Sequence, residues 1–321
     1  MGTVQITSDH QIFFTLDHRL FPEHWAYSVP DAEEAGLADA RDALSTFESL
    51  GQRMAGHLST FDSFEFEERA GRDHARWQEI SGLCNGAAQS GFLALTAMCE
   101  CAGLLGTLPQ RFGRHDGLVE ARWNSLRLGF TLEGVAQYLV SIGHYLTNIA
   151  LRVAIDDPLL AARIPAMSRK RVEVLEAAAT VGTRDPKGWV FHSQAPALVD
   201  WFGGRPRALK PLQISATLYN SRSWSPMART RNEAFHRLRE EFPTRGTLES
   251  TQAIRKTHRE THQAIRALGR ALPIFVTAVE NAAPQIRLEG QSFPLVGVEE
   301  VYDVVHGEAI VRERPNTPFR G

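Results

Sequence analysis

Residues 225–242 place an arginine and a histidine at a spacing that could support chemistry. Ser225-Pro226 is typical of a helix start, and Arg231 and His236 follow in the same helix. Arg231 shares a face with an apolar stripe at helical spacing, formed by Ala228, Phe235, Leu238 and Phe242. An inward-facing guanidinium is costly unless it is paired, so Arg231 indicates a specific partner or a function. Arginine can hold an anion through two parallel donors, and histidine can exchange a proton near neutral pH.

The elements that must position this pair are helical. Stretches with a period of 3.6 residues alternate with Pro and Gly breaks, and the helix that carries Arg231 ends near Pro243. The predicted helices cover 31–57, 65–105, 117–154, 169–181, 195–202 and 248–281, the last with a kink at Pro273. These elements predict an α-helical bundle over 31–285, with a broken insert at 155–225.

Both ends of the chain have the alternating pattern of β-strands. Residues 1–30 resemble a hairpin or arm, and residues 286–321 form a strand-like tail. We expect the two ends to pair in one small sheet. The predicted fold class is therefore all-α: a helical bundle with long helices plus a small β appendage from the two termini.

Charge is unevenly distributed although the net charge is only −2. Residues 1–110 carry 6 basic and 16 acidic side chains, and residues 163–245 carry 15 basic and 7 acidic ones. A basic third beside an acidic third creates a local positive field in a nearly neutral chain. The basic region contains Arg231, so an anionic partner is expected there.

The cysteine count and the apolar runs bound the class of protein. Three cysteines do not make a disulfide framework, so core thiols in a reducing cytoplasm are expected. The longest uncharged run, 80–99, contains polar residues and small residues that suit a buried central helix approached closely by its neighbours. No signal peptide is indicated at the N-terminus. We therefore expect a cytoplasmic protein without a membrane partner.

The sequence Arg231-Asn232-x-x-x-His236 resembles the signature of the HEPN superfamily (higher eukaryotes and prokaryotes nucleotide-binding). Members of that family are α-helical bundles whose motif is an Arg and a His separated by four to six residues, the first usually polar. The motif helix of this chain is late in the bundle and precedes one more long helix, as the resemblance implies. The terminal strands and the broken insert depart from a minimal bundle, which leaves the subfamily open.

The resemblance implies a metal-independent endoribonuclease that acts as a homodimer, with no cofactor. Arg231 would hold the phosphate oxygens, His236 would transfer the proton, and Asn232, one turn before His236, would orient the ring or the substrate. Such proteins serve as toxins or antiviral defence effectors, so a regulatory protein partner is expected beside RNA. Residues expected to position the substrate are Arg229, Arg239, Arg205, Arg207, Lys210 and Trp224. Trp224 is most simply a core or interface anchor, and in the RNA-binding interpretation it stacks on a base.

The main alternative is a protein without catalysis. In that interpretation Arg231 pairs with a carboxylate from the acidic first third or across an interface. The chain would then be a helical interaction or scaffold protein.

Two further patterns could bind a metal. Glu233-x-x-His236 is half of a di-iron signature, but no convincing second copy accompanies it. His258 and His262 are spaced as metal ligands, but the basic residues around them would repel a cation. A solvated, charged helix face is the expected environment of these two histidines, and no metal site is expected.

Three polar residues share one face of the third long helix. They are His144, Asn148 and Arg152, each one turn apart. Because this helix is expected to be covered by others, the pattern predicts a buried ladder of hydrogen bonds. A supporting role beside the Arg231 site is the sharper interpretation.

Overall fold

In the computed structural model, the chain is built from long α-helices. The structure describes residues 3–6, 12–14, 32–59, 67–107, 118–180, 186–204, 206–229, 248–282, 299–303 and 308–312. The helices are α1 (Ala38–Ser59), α2 (Glu67–Thr107), α3 (Leu118–Asp156), α4 (Pro158–Ala161), α5 (Arg169–Ala179), α6 (Ala195–Phe202), α7 (Lys210–Tyr219) and α8 (Leu248–Ala282). Residues 225–229 are also helical. The all-α prediction is confirmed.

The start of α1 differs from the prediction. The sequence pattern places it at residue 31, whereas residues 32–36 form a turn closed by a hydrogen bond from Leu37 N to Ala32 O (2.6 Å). Gly36 has a φ of 70°, a left-handed conformation that an α-helix does not accommodate. The helix therefore begins after this glycine.

Helices α2 and α3 form the centre of the bundle. α1 packs on α2, and α8 packs on α1, α3 and α7. The short helices of the broken stretch contribute to the same core through Leu175, Leu198 and Leu212, which are fully buried. One continuous core thus extends from α1 to α8.

Glycines let the helices approach closely where the small residues of 80–99 predict it. A Cβ at Gly86 would lie 2.9 Å from the Tyr145 ring, and one at Gly91 would overlap the Leu44 side chain. Real Cβ atoms essentially never come within 3.0 Å of another heavy atom. The prediction that neighbouring helices approach α2 closely is therefore confirmed at these two positions.

Four short strands occur at the two ends of the chain. They are β1 (Thr3–Ile6), β2 (Ile12–Phe14), β3 (Glu299–Asp303) and β4 (Glu308–Arg312). Their backbones pair in the order β2-β1-β3-β4, with every neighbouring pair antiparallel. The segments that connect them to the bundle lie outside the described residues, so the β appendage as a packed part of the fold stays a prediction.

Among the described helices, one stretch of α2 has the length and apolar composition of a membrane span. It covers Glu79–Gly106, and 33% of its most apolar window is buried. Core helices of water-soluble proteins share this length and composition. The prediction of a protein without a membrane partner therefore stays a prediction.

Candidate functional site

All three motif residues, and two of the residues predicted to position the substrate, lie outside the described part of the chain. This applies to Arg231, Asn232, His236, Arg239 and Arg205. Their roles therefore stay predictions, to which the structure adds the surroundings of the segment that leads into the motif.

Three of the predicted substrate-positioning residues are described and exposed. Arg229 ends the helical segment 225–229, two positions before Arg231. Arg207 lies in a 3₁₀ turn, and Lys210 begins α7. Their side chains are available to an anionic partner.

Trp224 is buried in the core and is not exposed for stacking on a base. Its side chain is 0% exposed, and its ring makes an edge contact with His192 at a centroid distance of 5.4 Å. A fully buried indole offers no free face for stacking on a base. In this structure Trp224 is a core anchor at the start of the helical segment 225–229.

In the polar ladder of α3 (His144, Asn148 and Arg152), Asn148 and Arg152 are buried and His144 is half-buried, and hydrogen bonds link the three positions as predicted. The Asn148 amide nitrogen donates to the carbonyls of His144 (2.8 Å) and Val190 (2.7 Å). Its Oδ1 accepts from Val190 N (3.2 Å) and from an Arg152 Nη (3.1 Å). Each donor and acceptor of this fully buried carboxamide is therefore engaged. The ladder fastens the chain around Val190 to α3.

The ladder ends in an ion-pair cluster formed by Arg76, Glu79, Arg152 and Asp156. The Glu79 carboxylate accepts from Arg76 Nη1 and from Arg152 Nε, both at 2.7 Å. Arg76 Nε lies 3.4 Å from Asp156. Burial lowers the pKa of Arg152, and the negative charge of Glu79 opposes that effect. Two cations and two anions balance, as a buried cluster requires.

Arg76 also bonds to the end of another helix. It is 2% exposed and donates to the last carbonyls of α5, at Ala178 (3.0 Å) and Ala179 (2.6 Å). These carbonyls have no partner within the helix, and a cation at this end interacts favourably with the helix dipole. Arg76 thereby ties α2 to α3 and α5.

His192 continues the polar network beyond the ladder. Its backbone N–H donates to His144 Nδ1 (2.9 Å), and its Nε2 lies 3.0 Å from the Ser215 carbonyl. A carbonyl only accepts, so Nε2 carries the proton. The pKa of His192 is lowered to about 4, mainly by burial. The hydrogen bond to Ser215 raises this pKa, and the charge of His144 lowers it further. His192 is therefore neutral at pH 7.

Sequence reasoning missed four charged or titratable members of this network: Arg76, Glu79, Asp156 and His192. The hydrogen bonds that reveal them join residues far apart in the chain, such as Arg152 to Glu79 and Arg76 to Ala178. No local spacing signals such pairs. One signal was present: Arg152 was expected inside the bundle and needed an acidic partner.

His258 and His262 of α8 are less solvated than predicted. Their rings stack at a centroid distance of 6.2 Å, and His262 Nε2 donates to the Ala35 carbonyl at 2.9 Å. Burial lowers the pKa of His258, and the charges of His262 and Arg255 lower it further. His262 packs against the turn before α1 and His258 stacks on His262, which corrects the expectation of a solvated face.

The described residues hold no group of three or more metal-ligating side chains. Burial raises the pKa of Cys101 to about 12 and raises that of Cys84 as well. These thiols are therefore unreactive at neutral pH, as expected for core cysteines. The polar network links α2, α3 and α5 through balanced charges, with the two guanidinium groups buried and the Glu79 and Asp156 carboxylates partly exposed.

In comparisons with protein-family models, with curated proteins and with solved structures, no match to this chain is found.

Proposed function

We propose that this chain is a metal-independent endoribonuclease of the HEPN type that acts as a homodimer. The observation that carries the proposal is the sequence Arg231-Asn232-x-x-x-His236. Two features of the described part support it: the motif follows directly on the helical segment 225–229, and the long helix α8 comes after it. An all-α bundle is also the architecture that the resemblance implies.

The proposed reaction is transesterification at a phosphodiester. His236 serves the proton transfer from the ribose 2′-OH, and the 2′ oxygen forms a bond to phosphorus. The bond from phosphorus to the 5′ oxygen breaks, and that oxygen receives a proton. The products are a 2′,3′-cyclic phosphate and a free 5′-OH. Arg231 neutralises the phosphate oxygens as charge develops, and Asn232 orients His236 or the substrate.

The exposed charge of the described part fits an RNA partner. Arg207, Lys210, Arg222 and Arg229 are all exposed, and Arg222 and Arg229 lie in the described stretch that leads into the motif. Phosphate contacts by such side chains supply affinity that is independent of sequence and sensitive to salt. The acidic first 110 residues would then face a regulatory protein, as a toxin or antiviral defence effector in the cytoplasm requires.

RNA cleavage by the purified chain in EDTA tests this proposal. We expect products with 2′,3′-cyclic phosphate ends, and Arg231→Ala and His236→Ala each to lower the rate by at least about a hundredfold. Removal of the exposed Arg127, which pairs with Glu100 on α2, is the matched control and leaves the rate unchanged. Cleavage that needs metal, or that survives both motif changes, would contradict the proposal.

One structural observation favours a second candidate, the non-catalytic interaction protein. Arg76 and Arg152, two other arginines on inward faces, are both held in a buried ion-pair cluster. If Arg231 has the same role, Arg231→Ala lowers the melting temperature or dissociates the dimer, and no RNA is cleaved. Light scattering and thermal unfolding of that variant separate the two candidates.

A further inference from the structure

The ring of His192 packs between α3, α7 and the start of the segment that leads to Arg231. It makes edge contacts with Tyr219 of α7 at 5.2 Å and with Trp224 at 5.4 Å between centroids. Its Nε2 donates to Ser215, also on α7. Trp224 immediately precedes the helical segment 225–229. We refer to this ring with Ser215, Tyr219 and Trp224 as the His192 latch.

The other ring nitrogen of His192 is buried without a hydrogen-bond partner. Nδ1 faces Gly143 of α3, where an added Cβ would overlap the ring. A buried acceptor without a partner is uncommon in native proteins and calls for an explanation. It is also the atom at which an additional proton would bind. That proton would create a cation enclosed by aromatic rings and α3 backbone.

The titratable groups that face His192 offer no compensation for such a cation. They are His144 of α3, whose charge would repel it, and Tyr219 of α7, a neutral phenol near pH 7. The face of Trp224 attracts a cation, but more weakly than burial of an unpaired ion opposes it. The Glu79 carboxylate, one end of the polar network, is already bound by two arginines.

A proton at the neighbouring His144 would weaken the same region. His144 Nδ1 accepts a hydrogen bond from the backbone N–H of His192, so this nitrogen carries no proton and the His144 ring is neutral. The contact between α3 and residue 192 thus requires both histidines to be neutral. The ion-pair cluster lies beyond Asn148 and does not require either histidine.

We propose that the His192 latch is a proton-sensitive device that holds Trp224, and with it the start of segment 225–229, against α3 and α7. In the neutral form the latch is closed. Protonation of His192 releases Trp224 while the ion-pair cluster and the long helices stay in place. The proposal does not depend on RNA cleavage. If Arg231 is catalytic, release of the segment leading to it also lowers activity in acid.

The direction of the pH effect follows from linkage. The pKa of His192 is lowered from 6.5 to about 4 in the closed form, so the proton binds the open form preferentially. The closed latch has its full stability above pH 6.5, the unperturbed pKa of histidine. It loses stability as the pH falls from 6.5 to about 4, the pKa of His192 in the closed form. The opening equilibrium should rise about tenfold per pH unit in this window, and roughly 300-fold in total.

Hydrogen exchange measured by mass spectrometry on the full chain tests the latch. After correction for intrinsic rates, peptides covering 221–229 should lose protection between pH 6.5 and 4, while α3 peptides around Ile149 keep theirs. In His192→Gln the amide can still donate to Ser215 but takes up no proton, so the loss of protection in acid should be much smaller than in the wild-type chain, with only the contribution of His144 left. The matched control is His262→Gln, whose ring also donates to a carbonyl, at Ala35, and which should keep the wild-type pH dependence.

A loss of protection in His192→Gln as large as in the wild-type chain would overturn the proposal, as would equal loss of protection in α3. If His192→Gln does not fold, selective ¹³C labelling of histidine in the wild-type chain decides. The His192 ring must then titrate over the same pH range in which 221–229 opens. A ring that titrates with no opening of this segment, or an opening with no titration, contradicts the latch.

Discussion

Replacing Arg76 by alanine is expected to lower the free energy of unfolding by about 3–5 kcal/mol. The change leaves Glu79 with one cation instead of two and removes the cation beside Asp156. It also removes the donors to the last carbonyls of α5, at Ala178 and Ala179. The cost is large because the α5 carbonyls are left without their donor and Glu79, whose side chain is 24% exposed, stays partly desolvated with one cation fewer. Urea unfolding followed by circular dichroism measures the loss.

The matched control is Arg127→Ala. Arg127 also pairs with a glutamate of α2, Glu100, but its side chain is 60% exposed. An exposed pair of this kind contributes roughly 0–1 kcal/mol. Equal effects of the two changes would show that the cluster does not tie α2 to α3 and α5.

Gly143→Ala is expected to destabilise the chain by about 1–3 kcal/mol. The new Cβ would lie 2.7 Å from Cγ of the His192 ring, closer than real Cβ atoms come. The ring cannot move away freely, because it is bonded to Ser215 and packed on Trp224. Overpacking at such a position forces a shift of α3 or of residue 192. Thermal and urea unfolding both measure this effect.

Gly134→Ala is the control for Gly143→Ala. Gly134 lies on the same helix, and a Cβ there meets nothing within 4 Å. Alanine favours a helix over glycine by roughly 0.5–1 kcal/mol, so this change should stabilise the chain. If both glycine changes stabilise, the His192 ring is not held where the structure places it.

Helical periodicity was sufficient to predict much of the fold. The predicted ends of α6 agree with the structure, because Pro196 suits the first turn of a helix and Gly203-Gly204 suits the end of one. The spacing of the polar ladder on α3 likewise predicted its burial. In both cases the information lies within a few turns of one helix.

The sequence could not predict residues whose environment depends on partners far away in the chain or in another chain. The sequence left Trp224 open between a core anchor and a base-stacking residue, and tertiary packing against His192 makes it a core anchor. Arg76 could not be recognised, since its carbonyl partners are about a hundred positions away. The roles proposed for Arg231 and His236 would depend on a homodimer interface, which one chain's sequence does not specify.

The carboxamide of Asn148 bonds to both the N–H and the C=O of Val190, as a neighbouring backbone would. It recognises the peptide group of residue 190 and not that residue's side chain. Mutational tolerance at the two positions should therefore differ in kind. Position 190 should accept any apolar side chain that fits the core. At position 148, aspartate lacks the amide donors and glutamine is longer by one methylene. A single side chain thus constrains the course of another stretch of chain while leaving its composition free to vary.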